Sequence, residues 1–559
     1  MSYWFALVLF GLGALYHLHI PPWTSFHNEA LAFAGLAVLV RYHPKGHRQA
    51  AGVGHQLPTW PWVALAVALG YQTWAHANTY LGDMVLLALY GAGAAMAWGW
   101  GQAHGARLTS GQTAQVGLVL VGVGWLTATA CWLQFARLDH HWPTWVLPLE
   151  LAPRAFGNLG QPNHTATVLV SAWLALTWLA DKGRCRTVWW VLGSLPLLSA
   201  VVLTQSRTGA LSVWVACALG LWLTRQNTRG RLPGAHLKTW HWWLSAVAFA
   251  AAFWAFHHNA SQSIGTAKMA ATGNRPTIWA QIADGVAQHP WLGYGWMRVP
   301  QAQQQGAVRI PGRELVDFSH NALLDQWVWW GAPLALLGLS VGAVWLLKTW
   351  RLAGPGRCWP VLMVTPLAVH SQLEMPYAYA YFLWPALVLL GGWTGRTWGS
   401  AASDLSHTPR RAAWLAWSTW GAFVALGLAV VVSYAQVEQA FRDTRFAMGK
   451  FQGAGAPTTP DTGLLTHMED ALWALQLEPR EALPDADMQR LERTAQRFSW
   501  QAVHARWVVA LVYQERYTEA AAHLQLIAHL FGPVMHQEML TMLAQKGETD
   551  GRFRRFGSP

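Results

Sequence analysis

Residues 113–135 read TAQVGLVLVGVGWLTATACWLQF, a run without a single charged side chain. A helix of that length measures about 35 Å, enough to cross the roughly 30 Å hydrocarbon core of a bilayer. The rest of the chain repeats this pattern, so the sequence predicts an all-α, polytopic membrane protein of about 13 transmembrane helices. The apolar runs lie near residues 2–20, 27–41, 60–77, 80–98, 113–135, 164–180, 187–203, 208–225, 241–257, 320–347, 359–373, 379–394 and 413–435.

The composition agrees with a membrane protein that carries a soluble portion. Of 559 residues, 53% are hydrophobic and only 11% are charged, whereas soluble proteins have about 25% charged residues. The 39 tryptophans suit membrane interfaces, because indole is apolar yet keeps a polar N–H. The net charge of +12 is explained by basic cytoplasmic loops, so we expect no nucleic-acid partner.

The orientation follows from the basic residues of alternate loops. One set of loops holds 17 Lys and Arg residues and the other holds eight, the C-terminal tail excluded. The basic set is predicted to be cytoplasmic, which places the N-terminus inside and the C-terminal region outside. The first run has no basic segment before it and no clear cleavage site, so it is interpreted as a retained span rather than a signal peptide.

Three regions are expected along the chain: a membrane domain over 1–435 with a large outward loop at 258–319, a linker over 436–462, and a C-terminal helical domain over 463–559. The loop contains a predicted helix, Pro276 to Gln288, and then the turn His289 to Gly295. In the C-terminal region, Ala502 to Phe531 forms a predicted helical hairpin resembling a tetratricopeptide-type unit. Because three repeats at a fixed period are missing, a small helical domain of no repeat class is an equal alternative. Helices are predicted there near 463–477, 486–498, 500–514, 517–530 and 533–545.

Polar motifs from distant parts of the chain fall on one predicted face of the membrane. Five such motifs would rarely gather on the outward face by chance, and an outward-facing active site would require it. They are Gln161-Pro162-Asn163-His164, Gln205-Ser206-Arg207, Asn274-Arg275, Ser319-His320-Asn321 and the segment from His370 to Glu374.

Two arginines are candidates for binding a diphosphate. Arg207 lies in a tight turn between two spans, where a cation is costly unless it faces water or an anion; the alternative is an arginine that reaches lipid phosphate. Arg275 precedes Pro276 at a predicted helix N-terminus, which favours anions; the alternative is a solvated loop arginine. Guanidinium groups match phosphate oxygens in geometry.

His320 is the candidate general base, because it opens a long span after the large loop and imidazole titrates near neutrality. The alternative is a histidine that merely caps the helix. Asn321 or Gln326 could orient it, whereas Asp325 lies a little beyond same-face spacing. The four cysteines and 24 histidines show no metal-ligand spacing, so neither a metal site nor a cofactor is predicted.

Further polar groups are candidates for a supporting role around these three. His164 and Asn163 precede one span, and His370 and Glu374 end another. The tyrosines that follow, beginning with Tyr377, form either an interface belt or a wall on which a sugar stacks.

These motifs resemble the O-antigen ligase and polymerase superfamily. Ser319-His320-Asn321 followed by Leu323, Leu324 and Gly331 is similar to its His-Asn signature, and the loop segments Arg275 to Trp279 and Pro290 to Gly295 are similar to its Arg, Trp and Pro-x-x-Gly-x-Gly pattern. Gly160 to His164 and His370 to Pro376 resemble the branch of bacterial O-linked oligosaccharyltransferases (the PglL/PilO type). Many relatives carry Glu nine residues after the His, where this chain has Trp329, a departure that weakens polymerase activity more than transfer.

The resemblance implies a metal-independent, inverting glycosyltransferase of the bacterial inner membrane, with its active site and C-terminal domain in the periplasm. Its donor would be an oligosaccharide on undecaprenyl diphosphate, and its acceptor a Ser or Thr hydroxyl of a periplasmic protein such as a pilin. His320 would take the acceptor proton, Arg207 and Arg275 would bind the diphosphate, and the large loop would close over the site. The supporting residues are Gln161, Asn163, His164, Gln205, Asn321, His370, Glu374 and Tyr377.

Three other functions compete with this interpretation. An O-antigen ligase would use the same chemistry with lipid A-core as the acceptor; the outward C-terminal domain favours a protein acceptor instead. A transporter of lipid-linked sugars would place its binding residues near the midplane, often on inverted repeats, and neither feature occurs here. A cell-envelope scaffold would leave Arg207, Arg275 and His320 without a role.

Overall fold

The structure, a computed structural model, describes residues 2–42, 59–76, 78–150, 152–227, 238–259, 273–354, 357–398, 410–451 and 457–556. Five residues of the loop-charge comparison lie outside these ranges: Lys45, Arg48, Arg229, Arg231 and Lys268. Part of the predicted linker, residues 452–456, also lies outside them.

The chain is helical, as predicted, and the described ranges contain no β-strand. Each of the thirteen apolar runs contains a helix, and all five helices predicted after residue 463 are present. The helices are α1 (Ser2–Leu15), α2 (Phe26–Val40), α3 (Trp60–Ala75), α4 (Leu81–His104), α5 (Ser110–Phe135), α6 (Pro162–Asp181), α7 (Thr187–Leu203), α8 (Arg207–Asn227), α9 (Thr239–Asn259), α10 (Arg275–Gln288), α11 (Val299–Ala307), α12 (Ala322–Ala353), α13 (Trp359–His370), α14 (Ala380–Trp398), α15 (Arg410–Met448), α16 (Thr466–Gln476), α17 (Asp485–Arg497), α18 (Gln501–Tyr513), α19 (Tyr517–Phe531) and α20 (Pro533–Thr549).

Five of the described helices are long and apolar enough to cross a membrane on their own. They are α4, α5, residues 207–226 of α8, α12 and residues 414–448 of α15. Shorter apolar helices include α1, α2, α7 and α13. The chain is therefore a membrane protein by length and composition, while the number of thirteen spans remains a prediction.

The chain divides into two compact units. The first comprises Met1–Leu65, Leu89–Ala271 and Gly342–Gly427, and the second comprises Ala66–Ala88, Thr272–Val341 and Leu428–Pro559. The predicted loop helix and the C-terminal domain therefore belong to the same unit.

In the first unit, small residues let α5 and α6 approach closely. A Cβ at Gly124 would lie 2.2 Å from the Cβ of Ala172, so only glycine fits at this crossing. Trp173 is fully buried in the cluster of apolar residues around this contact. Close packing through small residues is the usual way in which helices associate within a bilayer.

In the second unit, two glycines bring the loop helices α10 and α11 together. A Cβ at Gly285 would lie 2.0 Å from the carbonyl oxygen of Ala302, and one at Gly306 would lie 1.8 Å from that of Gln281. The Gln281 and Gln303 side chains are hydrogen-bonded at 2.7 Å, and Gln303 also accepts from the backbone N–H of Val316 at 3.0 Å. This network fixes the segment that leads to His320.

Helix α12 is broken at Gly331, which has a φ of 69° and lies two residues before Pro333. The loop turn fills the break: the N–H of Tyr294 donates to Val328 O at 2.7 Å, and the N–H of Ala332 donates to Pro290 O at 2.8 Å. The break leaves the carbonyl of Trp329 without an intrahelical donor, and the Gln72 side chain donates to it at 3.0 Å. The turn therefore determines the course of α12 just beyond His320.

The C-terminal helices α16 to α20 enclose their own apolar core, in which Leu491, Ala510 and Ile527 are fully buried. They also contact the loop. The Gln304 side chain donates to Ala495 O at 2.9 Å, and the backbone N–H of Gly312 donates to His529 O at 2.8 Å. The described part of the large loop is thus packed on this domain. The tetratricopeptide-like character of the domain remains a prediction.

Candidate active site

In the first unit, a hydrogen-bond chain joins three of the predicted motifs. The hydroxyl of Ser206 donates to Asn163 Oδ1 at 2.6 Å, and the amide of Asn163 donates to Glu374 Oε1 at 3.2 Å. Glu374 is buried, and Ser206 is fully buried. Residues more than 200 positions apart are therefore held in one polar cluster, as the sequence predicted for these motifs.

Two predicted histidines lie beside this cluster. The ring of His164 packs edge-on against the rings of His370 at 5.3 Å and Tyr379 at 4.8 Å between centroids. His370 Nδ1 is 2.8 Å from the hydroxyl of Thr167, which also donates to Asn163 O at 3.0 Å. The Thr167 hydroxyl therefore contacts both the first turn of α6 and His370.

The two glutamines shape the backbone around the cluster. Gln161 is the N-cap of α6, and its side-chain oxygen accepts from the N–H of His164 at 2.7 Å. Gln205 has a φ of 49°, in the left-handed region that non-glycine residues seldom adopt. Its side chain donates to Pro153 O at 3.1 Å, which supports the turn before Arg207.

Arg207 is the first residue of α8, and its side chain is exposed. The preceding Ser206 caps this helix, since its hydroxyl accepts from the N–H of Gly209 at 2.9 Å. The arginine is thus tied through Ser206 and Asn163 to Glu374. A helix N-terminus and a guanidinium at the same place both favour an anion.

In the second unit, His320 has a φ of 59°, again in the left-handed region. Its flanking backbone is fixed from both sides: Trp279 Nε1–H donates to Ser319 O at 2.8 Å, and the N–H of Ser319 donates to Asp325 Oδ1 at 2.8 Å. Asp325 is fully buried. Strained conformations persist only where the surroundings determine them, and they are concentrated at functional sites.

Asn321 begins α12 by capping it. Its Oδ1 accepts from the N–H groups of Leu323 at 3.0 Å and Leu324 at 3.1 Å. Gln326, the second sequence candidate for orienting His320, accepts from Trp330 Nε1–H at 3.0 Å. Asp325 therefore fixes the backbone before His320. Its spacing in the sequence did not predict this role.

Arg275 lies at the N-terminus of α10, as the sequence predicted, and is its first residue. Its side chain is half-buried. The preceding Asn274 donates from its side chain to Glu314 Oε2 at 3.2 Å. Arg275 and Trp279 lie on the same helix, so one element carries both a candidate anion-binding group and the indole that supports Ser319.

Family comparisons match the chain in three segments. Residues 155–180 match a model described as "Protein glycosylation ligase", 192–339 match "O-Antigen ligase", and 358–540 match "Virulence factor membrane-bound polymerase, C-terminal". A "General O-oligosaccharyltransferase" from Acinetobacter baylyi is 25% identical over 521 residues, covering 88% of this chain and 85% of that relative. The chain is therefore similar to the O-antigen ligase superfamily and, over most of its length, to an O-oligosaccharyltransferase of that group. A "ComP-specific O-oligosaccharyltransferase" from the same organism is 25% identical over 293 residues, which cover 50% of this chain and 51% of the relative.

Both relatives are named as O-oligosaccharyltransferases, which are glycosyltransferases, so the predicted class of enzyme is confirmed. The matched segments contain every predicted site residue. The first holds Gln161, Asn163 and His164; the second holds Gln205, Arg207, Arg275, His320 and Asn321; and the third holds His370, Glu374 and Tyr377. Tyr377 is half-buried on the short 3₁₀ helix Pro376–Ala378.

The structure also supplies supporting residues that the sequence interpretation did not include. Thr167 contacts His370, and Gln72 is fully buried at the break of α12. Gln72 additionally accepts from the N–H of Trp296 at 2.9 Å. A polar amide inside an apolar run indicates such a supporting role. Gln72 is a residue of this kind, because it lies within the apolar run 60–77.

Proposed function

We propose that this oligosaccharyltransferase transfers a preassembled oligosaccharide from undecaprenyl diphosphate to a Ser or Thr hydroxyl of a periplasmic protein such as a pilin. The reaction is metal-independent and inverts the anomeric carbon. The enzyme lies in the bacterial inner membrane, with its site and C-terminal domain on the periplasmic side. The distribution of basic residues between alternate loops supports this orientation.

The observation that carries the proposal is the position of the two arginines. Arg207 and Arg275 each occupy the first residue of a helix, α8 and α10. At such positions the unpaired backbone N–H groups and the helix dipole add to the guanidinium charge. Two such groups suit a diphosphate, whose charge grows as it leaves the sugar, and stabilising charge that develops in the transition state contributes most to catalysis.

His320 acts as the general base in this mechanism. Its imidazole takes the proton of the acceptor hydroxyl while the hydroxyl oxygen attacks the anomeric carbon. The bond between that carbon and the diphosphate oxygen breaks, and undecaprenyl diphosphate leaves with the electron pair. Such proton transfer requires a base held within hydrogen-bond reach, and the contacts of Trp279 and Asp325 with Ser319 hold the backbone next to His320.

The polar cluster of the first unit positions Arg207 and contributes to binding the donor. The chain from Glu374 through Asn163 to Ser206 fixes the start of α8. His164 packs on Tyr379 and on Phe382, the latter at 5.4 Å between ring centroids. Aromatic rings at this place offer apolar faces to a sugar or a prenyl chain, and Tyr377 belongs to the same segment.

The acceptor separates the leading proposal from its nearest alternative. The relatives named above are O-oligosaccharyltransferases, which favours a protein acceptor. The "O-Antigen ligase" match over 192–339 keeps transfer to lipid A-core as the second candidate, because both reactions need the same donor groups. The proposed membrane domain is 1–435 and the proposed C-terminal domain is 463–559; between them, α15 continues to Met448.

Glycan transfer in a cell that supplies a lipid-linked oligosaccharide and a co-expressed pilin tests this proposal. The readouts are the mass of the pilin and the glycan on surface lipopolysaccharide, for the wild type and for His320→Ala at matched membrane levels. We expect a pilin mass shift that His320→Ala abolishes. The control is His536→Ala, which changes a half-buried histidine on α20 and should leave transfer unchanged.

Two results would overturn parts of the proposal. Glycan found only on lipid A-core would make the enzyme a ligase, and undiminished transfer by His320→Ala would remove the general base. Arg207→Lys and Arg275→Lys refine the donor assignment: each keeps the charge but loses the fork that matches phosphate, so transfer should fall about tenfold or more.

A further inference from the structure

The first unit contains a cavity of about 860 Å³ that is lined by none of the site residues predicted from the sequence. Its walls come from α1, α4, α5, α6, α13 and α14, and most of them are apolar. Along α5 the lining runs from Ser110 to Val123, a distance of about 20 Å at 1.5 Å per residue. Ligand cavities range from about 300 to 1,000 Å³, so this one is large enough for a lipid-sized molecule.

One end of the cavity is strongly basic. Lys182, Arg184, Arg357 and Arg396 all line it, at the ends of α6, α13 and α14. Among the described residues, Asp181 supplies a carboxylate at this end; it is 3.3 Å from Lys182 Nζ and accepts from Trp359 Nε1–H at 2.9 Å. Four cations and one anion give these five side chains a net charge of +3.

The arginines keep donors for a ligand. Arg357 donates to Arg396 O at 3.4 Å, and Arg396 donates to Gly105 O at 2.8 Å and to Thr113 Oγ1 at 3.4 Å. Arg184 is hydrogen-bonded to Ser110. Each guanidinium has five N–H donors, so these contacts occupy fewer than half of those available.

We propose that this cavity binds one anionic glycerophospholipid, with its phosphate at the basic end and an acyl chain along the apolar walls. The occupant is identified by charge and length. A phosphate complements the +3 end, and 20 Å matches one leaflet's acyl depth of about 15 Å plus the headgroup. Basic pockets between transmembrane helices at the cytoplasmic side are known to bind such headgroups. The proposed orientation determines which leaflet supplies the lipid, whereas the binding site itself does not depend on it.

The opposite end of the cavity lies under the polar cluster. Thr167 and Phe382 line it; Thr167 contacts His370, and the ring of Phe382 packs on His164. An acyl chain here would support the two helices, α6 and α14, that carry those residues. The lipid is therefore expected to stabilise the membrane domain without taking part in the reaction.

The test uses the full-length enzyme in detergent, with phosphatidylglycerol and phosphatidylcholine as probes, and native mass spectrometry and thermal unfolding as readouts. We expect the wild type to retain one phosphatidylglycerol, which raises its Tm, and phosphatidylcholine to bind about tenfold more weakly. Arg184→Gln with Arg357→Gln should remove that preference. The control pair, Arg186→Gln with Arg351→Gln, changes two exposed arginines outside the cavity and should keep it.

A second variant tests the apolar part. Val364→Trp fills the cavity from α13 and should lower retention of both lipids while the protein remains monodisperse. Equal binding of the two lipids by the wild type would overturn the proposal, as would a preference that survives in the arginine variant. Recovery of a polyprenyl phosphate instead would show that the cavity holds the donor tail. None of these readouts depends on glycan transfer, so failure here is distinct from failure of the proposed function.

Discussion

The guanidinium of Arg497, the last residue of α17, forms two hydrogen bonds with the carboxylate of Asp83 in the first turn of α4, both at 2.9 Å. The Asp83 side chain is fully buried and that of Arg497 is 5% exposed. Arg298, from the large loop, lies in the same charged group and donates to Asn78 O at 2.6 Å. A residue of the C-terminal domain, the start of a membrane helix and the loop are thus joined inside the second unit.

Breaking this pair should destabilise the protein strongly. Arg497→Met leaves the Asp83 carboxylate buried without its partner, which costs about 3–5 kcal/mol. Thermal unfolding in detergent should show a large drop in Tm, while the control Arg480→Gln, whose partner Glu478 is exposed, should change it little. Because Arg497 also ties the C-terminal domain to the start of α4, glycan transfer should fall with stability. If the Tm of Arg497→Met equals that of the wild type, this account of the pair is contradicted.

The indole of Trp279 should matter for catalysis through one hydrogen bond. Trp279→Phe keeps an aromatic ring but removes the donor to Ser319 O, which is 2.8 Å away, and an unsatisfied carbonyl costs about 1–3 kcal/mol. We expect glycan transfer to fall about tenfold and Tm to fall by a few degrees. Trp291→Phe is the matched control, since Trp291 is 73% exposed on the same loop. Equal activity of the two variants would show that this bond does not position His320.

The sequence predicts the helices and the site motifs more readily than the tertiary contacts that hold them in place. Apolar runs of 15 to 28 residues identify helices directly, and Arg-Pro marks the start of α10. The pairing of Asp83 with Arg497 joins residues 414 positions apart, and no local pattern specifies such a partner. Same-face spacing on a helix does not predict the contact of Asp325 with the backbone N–H of Ser319, because Ser319 lies before the helix begins. The left-handed conformation of His320 is likewise imposed by its tertiary contacts.

A buried histidine, His504, and a half-buried neighbour, His523, should make the C-terminal domain sensitive to acid. His504 Nδ1 is 3.1 Å from His523 Nε2, and burial lowers the pKa of His504 to about 4 and that of His523 to about 3. Unfolded histidine has a pKa of about 6.5, so below that pH the unfolded chain binds protons that the folded chain excludes. Stability is therefore complete above about pH 6.5 and falls as the pH drops toward 4.

The variant His523→Leu tests this dependence. Each excluded proton contributes a slope of about 1.4 kcal/mol per pH unit, so removing one titrating group should flatten the decline of Tm between pH 6.5 and 4.5. His536→Leu, on α20, should retain the wild-type slope. The measurement is thermal unfolding of the full-length protein across that range. A slope that is the same in His523→Leu and in the wild type would place the acid sensitivity elsewhere.

The break in α12 should depend on Gly331 and on no other glycine of that helix. Gly331 has a φ of 69°, and an added Cβ would lie 2.1 Å from Trp291 O, so Gly331→Ala brings both backbone strain and a clash with the loop turn. Gly338→Ala is the matched control, because a Cβ there meets nothing within 4 Å and alanine is favoured over glycine in a helix by about 1 kcal/mol.

We expect Gly331→Ala to lower Tm and to abolish most glycan transfer, and Gly338→Ala to leave both unchanged or slightly raise Tm. The effect on transfer should exceed the effect on stability, since straightening the break moves the helix segment that begins at Asn321 away from the turn containing Tyr294. Hydrogen exchange at Tyr294, whose N–H is bonded to Val328 O, would report loss of that contact directly. Retained protection there in an inactive Gly331→Ala would mean that the turn does not position His320.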